Sequence, residues 1–236
     1  MKKAIRITLI GLVTLLISFG AIFLIYVSDY SKAEDRAVEA MENSLSEGKI
    51  TVDHNLTIFH AGEDTGSALI FYPGGKVDEV AYVPLLERIA DQGITCVLVK
   101  MPFHLAVFHP KAADKIYDKL PDIKQWFIGG HSLGGAMASN YMAEHPDKAE
   151  GLILLGAYIY GEVKPEEVLT LYGSNDLVLN REKITYDQNV IVINGGNHAN
   201  FGDYGKQKGD GDATITREEQ QEQTAKEIVN FIQNKQ

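Results

Sequence analysis

The chain has 236 residues, 45% of them apolar and 23% charged, enough for one catalytic-size globular domain plus an N-terminal extra and unlike a disordered chain. A formal net charge of −10, with no basic cluster beyond the first residues, argues against nucleic-acid binding. The single cysteine, Cys96, excludes a disulfide within the chain and lies in the apolar run Thr95-Cys96-Val97-Leu98-Val99, where an inert core thiol is expected.

The first residues are basic, with Lys2, Lys3 and Arg6, and residues 7–28 then carry no charge. A helix crossing a bilayer core needs about 20 apolar residues, whereas a secretory signal has a shorter apolar core. Residues 1–28 are therefore expected to be a retained single-pass anchor. The basic flank before the run and Asp29 after it predict the N-terminus inside and the rest of the chain outside. Ser31-Lys32-Ala33 offers a small-x-small cleavage pattern; use of it would give a secreted protein instead. Residues 29–48 read as a helical stalk, with Ala33, Ala37, Met41 and Leu45 at four-residue spacing and Gly48 as its end.

Residues 49–236 form the expected catalytic domain. Ile50-Thr51-Val52 and Leu56-Thr57-Ile58-Phe59 suggest an edge hairpin. Apolar strands then alternate with helical patterns: residues 68–72, 95–101, 126–130, 151–155, 168–172 and 190–193 read as strands. Helices are expected over residues 79–90 (starting nearer Val83 because of Pro84), 111–120, from Ala136 to His145, and after the Thr216/Glu219 capping box. Such alternation implies a mainly parallel, doubly wound α/β sheet with helices on both faces.

Chemistry concentrates at Gly130-His131-Ser132-Leu133-Gly134, where an apolar strand meets a helix. In that context Gly-x-Ser-x-Gly is a nucleophile elbow: a strained turn lifts the serine Oγ above the sheet, and flanking glycines avoid clashes with neighbouring elements. A serine hydroxyl needs a base within hydrogen-bond reach. In open α/β sheets functional loops gather at the carboxyl ends of strands. Asp176 follows one later strand and His198 the last one, so Ser132, Asp176 and His198 are the candidate triad. Asp203 and Asp187 are fallback acids, the first too near His198 in sequence and the second before its strand.

An oxyanion needs fixed donors. The Leu133 N–H is one candidate, and the turn Pro73-Gly74-Gly75-Lys76 supplies Gly75 as the other, with Lys76 next. The same Gly-Gly-Lys lacks the spacing of a phosphate loop. Phe103, His104, Tyr158, Phe201 and Tyr204 lie in loops near the expected rim and are candidate substrate-binding residues. His104 and His109 lack the nearby carboxylates that would make a metal site.

Together, Gly130-His131-Ser132-Leu133-Gly134-Gly135, Asp176 and His198 resemble the α/β-hydrolase superfamily. Tyr72-Pro73-Gly74-Gly75 and the run from Gly195 to Gly205 resemble a narrower group of small bacterial members. The likeness implies an α/β-hydrolase fold and a Ser-His-Asp hydrolase with no metal or organic cofactor. Pro73 departs from the histidine that many esterases of the family carry in this turn. The short segment 156–167 implies a minimal lid and an open site for a small or extended acyl substrate. A carboxylic-ester hydrolase is the leading expectation. Peptidase, amidase or thioesterase activity with the same residues, or a non-catalytic surface binding module, are the alternatives.

Overall fold

The computed structural model describes residues 2–63 and 65–235. Met1, the first residue of the expected anchor, lies outside them, as do the side chains of residues 2–4, part of the basic flank. The chain divides into two compact units, 1–30 and 31–236.

The first unit is one helix, α1 (Lys2–Ser28). Its Ile5–Ser28 stretch has a mean hydropathy of 2.5, long and apolar enough to cross a membrane or to serve as a signal sequence.

The second unit opens with a short extended lead-in and α2 (Asp35–Ser46). The boundary between units thus falls inside the segment expected as a stalk, after Tyr30, and α2 packs on the globular body, with Ala37 and Ser44 buried.

Among the described residues eight strands follow: β1 (Ile50–Asp53), β2 (Leu56–Phe59), β3 (Ser67–Tyr72), β4 (Thr95–Val99), β5 (Gln125–His131), β6 (Gly151–Leu155), β7 (Val168–Gly173) and β8 (Val190–Ile193). They form one sheet in the order β1-β2-β4-β3-β5-β6-β7-β8. The β1–β2 pairing and the β2–β4 pairing are antiparallel; all other pairings are parallel. The remaining helices are α3 (Val83–Ala90), α4 (Leu133–Glu144) and α5 (Arg217–Gln233).

Both faces are covered, and alternation along the strands feeds two cores. Leu69 and Phe71 of β3 pack with Leu86 and Ile89 of α3 and Ile228 and Ile232 of α5. Ile70 and Tyr72 pack on the opposite face with Ala138 and Tyr141 of α4. Pro84 sits in the first turn of α3, where its missing N–H costs nothing, and a 3₁₀ turn, Glu79–Tyr82, precedes it. The helix expected over 111–120 is instead two 3₁₀ turns, Ala112–Lys115 and Tyr117–Lys119. Ala112, Ala113 and Ile116 there face the core, an apolar patch too short to sustain a longer helix.

Sheet order reverses at β3, which lies between β4 and β5. The carboxyl ends of β3 and β5 therefore open a crevice, the usual place for a site in such sheets. In register, Tyr72 pairs with Gly130, so the turn after β3 and the turn after β5 meet there.

Candidate active site

Ser132 joins β5 to α4 at φ 51° and ψ −119°, a conformation non-glycine residues rarely adopt. The neighbours explain the glycines. A Cβ on Gly134 would lie 2.2 Å from both the Tyr72 and Pro73 carbonyl oxygens. One on Gly130 would lie 2.5 Å from the Tyr72 oxygen. The Ser132 N–H donates to the Leu155 carbonyl at 2.9 Å, fixing the turn against β6.

Asp176, in the loop after β7, is buried. Its Oδ1 accepts from the N–H groups of Val178 (2.9 Å) and Leu179 (2.8 Å), leaving Oδ2 for His198 Nδ1 at 2.8 Å. Arg181 Nη2 holds the same loop by donating to the Ser174 and Asp176 carbonyls, each at 2.7 Å. His198 is equally buried, and its Nε2 has no partner among the described residues. Ser132 and His198 both line one cavity of about 340 Å³. The Oγ–Nε2 hydrogen bond itself is not closed among the described residues, as is common before substrate tightens such a site.

Gly156, at φ 52°, backs the pair: a Cβ there would lie 2.8 Å from His198 Nδ1 and 3.3 Å from Asp176 Oδ2. α5 fixes the histidine loop through buried Gln220, whose side chain accepts from the Asn197 N–H (3.0 Å) and donates to the Asn197 carbonyl (2.8 Å). Asp203 serves a different end. Its buried carboxylate accepts from Arg36 Nε at 3.0 Å and Nη2 at 3.1 Å, and Arg217 Nη1 lies 3.2 Å away. Asp187 is exposed.

The turn after β3 abuts the elbow: a Cβ on Gly75 would come within 2.7 Å of Leu133 Cδ2. The Lys76 N–H donates to the His104 carbonyl at 2.7 Å, which withdraws it from any oxyanion. No hydrogen bond from the Gly75 or Leu133 N–H to another protein group is found among the described residues. The Gly74 N–H donates to Tyr82 Oη at 3.0 Å, and that hydroxyl bonds His131 Nδ1 at 2.8 Å. His131 is buried, its ring centroid 4.5 Å from that of His198. Burial, and secondarily the neighbouring His198, push its pKa well below the usual histidine range, so it stays neutral.

Of the five expected substrate contacts, only Tyr158 lines the cavity. Phe201 and Tyr204 are in the core, packed around His131 at centroid distances of 5.6 Å and 6.3 Å, because the histidine loop folds inward there. His104 turns to Glu79, with its Nδ1 3.7 Å from the carboxylate, and Phe103 is exposed against Phe108. The wall is instead built by Ala136, Ala157, Val178, Leu179 and Asn180. Nothing aromatic marks these residues in the sequence; the offset of Val178 and Leu179 from Asp176 was the available signal.

The segment after β6 is short and pinned. Ser139 Oγ of α4 donates to the Tyr160 carbonyl (2.9 Å) and accepts its N–H (2.8 Å). No helix is inserted before the 3₁₀ turn Pro165–Glu167 that leads into β7, so the lid is minimal.

A sequence profile described as "Alpha/beta hydrolase family" matches residues 68–222. A putative non-heme haloperoxidase of Mycobacterium phage D29 is 31% identical over 103 residues, covering 39% of this chain and only 37% of that relative's length. Among solved structures, a monoacylglycerol lipase from Paleococcus ferrophilus superposes with a TM-score of 0.56 at 14% identity, over 75% of this chain and 99% of that one. Est1E from Butyrivibrio proteoclasticus gives 0.54 at 15%, over 78% and 98%. TT1662 from Thermus thermophilus gives 0.55 at 12%, over 79% and 97%. At such identities these structures speak to the fold alone.

Proposed function

Because the chain belongs to the alpha/beta hydrolase family, we propose that it is a serine hydrolase of small carboxylic esters, working through an acyl-enzyme on Ser132. The observation that carries this reading is the buried Asp176–His198 pair, whose Nε2 is left without a partner beside the cavity that Ser132 also lines.

In this reading Ser132 Oγ attacks the ester carbonyl carbon while His198 Nε2 takes the hydroxyl proton. The carbonyl π pair moves onto oxygen, where the Leu133 and Gly75 N–H groups receive it. Collapse breaks the bond to the alkoxy oxygen, which leaves as the alcohol with the proton from His198. Water then adds to the acyl-enzyme by the same route, giving the carboxylic acid and free Ser132. Asp176 holds the Nδ1 proton and steadies the imidazolium formed in each half-reaction. Neutral His131, although close, sets no positive charge against that imidazolium.

A small cavity walled by Ala136, Val178 and Leu179 supports short or extended acyl groups, and the pinned segment after β6 supports an open mouth. The apolar α1 supports a single-pass anchor, and the basic residues Lys2, Lys3 and Arg6 at its start support the catalytic unit outside.

The test is covalent. Wild type should label with a fluorophosphonate and Ser132→Ala should not; labelling that persists in the variant sinks the assignment. Parallel ester, amide and thioester panels then decide among acyl groups, with the short p-nitrophenyl ester expected to be hydrolysed fastest.

A further inference from the structure

Residues 31–36, the end of the lead-in and the first two residues of α2, reach two parts of the site at once. Ser31 makes a parallel bridge with Val77: its N–H donates to the Lys76 carbonyl at 2.8 Å, and its own carbonyl accepts the Asp78 N–H at 2.9 Å. Lys76 is at φ 58° and its N–H already goes to His104, so both sides of this strained residue, directly after Gly75, are held. At its other end the same segment grips the histidine loop. The Glu34 N–H donates to the Asp203 carbonyl at 2.8 Å, Arg36 takes the buried Asp203 carboxylate with two N–H groups, and Arg217 bonds both Glu34 and Asp203.

A turn that must hold a donor within a few tenths of an ångström of a developing oxyanion needs support from a rigid element. The left-handed Lys76 will not hold its conformation alone, since such backbone states persist only where surroundings over-determine them. We propose that residues 31–36 are a strap that sets the oxyanion turn against the histidine loop, with Ser31 as the positioning residue for the Gly75 N–H. This rests on the reading of Ser132 as nucleophile given above. It makes the functional unit begin at Ser31 and not after Gly48. Cleavage at Ser31-Lys32-Ala33 would remove the bridge and leave a folded core with a loosened oxyanion turn, so the uncleaved chain is the competent form.

The experiment uses the full chain in detergent micelles, with a short p-nitrophenyl ester and a fluorophosphonate as probes. Ser31→Pro deletes the N–H that holds the Lys76 carbonyl; Ser31→Ala keeps it and separates the bond from the side chain. For Ser31→Pro we expect kcat and the labelling rate to fall together by about tenfold or more, with KM and the thermal midpoint little moved, and Ser31→Ala to restore turnover. Arg36→Gln, which frees the other end of the strap, should lower kcat and the labelling rate together with KM little moved, beside a lowered thermal midpoint because it also breaks the buried Asp203 pair, and it carries the test if Ser31→Pro does not fold. Wild-type kcat in a folded Ser31→Pro, or in Arg36→Gln where the proline variant fails to fold, overturns the strap. A wild type that does not label at all overturns the nucleophile instead.

Discussion

Asp203, a near neighbour of His198 in the chain, gives its carboxylate to Arg36 and not to the imidazole. Asp176, farther away in sequence, holds Nδ1. The two buried acids therefore separate by experiment. Asp176→Asn should cut kcat by about 10⁴-fold with the fold intact, since the imidazole loses its tautomer control. Asp203→Asn should cost about 1.5–3 kcal/mol of stability as its charged hydrogen bonds weaken, and no more than about tenfold in kcat. Steady-state kinetics beside urea unfolding of the two variants check this.

Gly156 is expected to tolerate no side chain. Its positive φ and the 2.8 Å that would separate an added Cβ from His198 Nδ1 act together. Gly156→Ala should lose about 1–2 kcal/mol from backbone strain and at least about tenfold in kcat, because the imidazole must shift away from Asp176. Thermal unfolding and turnover of the purified variant measure both.

Tyr82→Phe should destabilise without reshaping the core. The hydroxyl accepts from the Gly74 N–H and bonds His131 Nδ1, so its loss strands two buried polar groups at once. A cost of about 1–3 kcal/mol follows, read as a lowered denaturation midpoint with an unchanged slope.

Acid should weaken the fold through His131. Its pKa is well below the ordinary 6.5, because burial and then His198 disfavour the charged form. Below about pH 6.5 the unfolded chain takes up a proton that the folded chain refuses, so stability falls as pH drops and is fully present above that value. Thermal midpoints between about pH 5.5 and 7.5 should show this slope, and His131→Asn should flatten it while lowering the midpoint throughout.

The sequence by itself determined the layout of this protein. Strand–helix alternation, the glycines around Ser132, and an acid and a histidine after the last strands are local patterns, set by steric limits and side-chain periodicity that act over a few residues. Only the tertiary structure decided between neighbours of equal local promise. Phe201 and Tyr204 look like rim residues in the chain, yet the histidine loop turns them into the core around His131. Lys76 and Gly75 are adjacent donors, but the His104 carbonyl, a long-range partner, takes the N–H of Lys76. Residues 29–48 read as a helical stalk, yet Ser31 bridges Val77 beside Lys76 and Arg36 in the first turn of α2 pairs with the buried Asp203 carboxylate, both partners distant in sequence. Such choices depend on which groups fold together and must share hydrogen bonds out of water, and no short stretch of sequence carries that information.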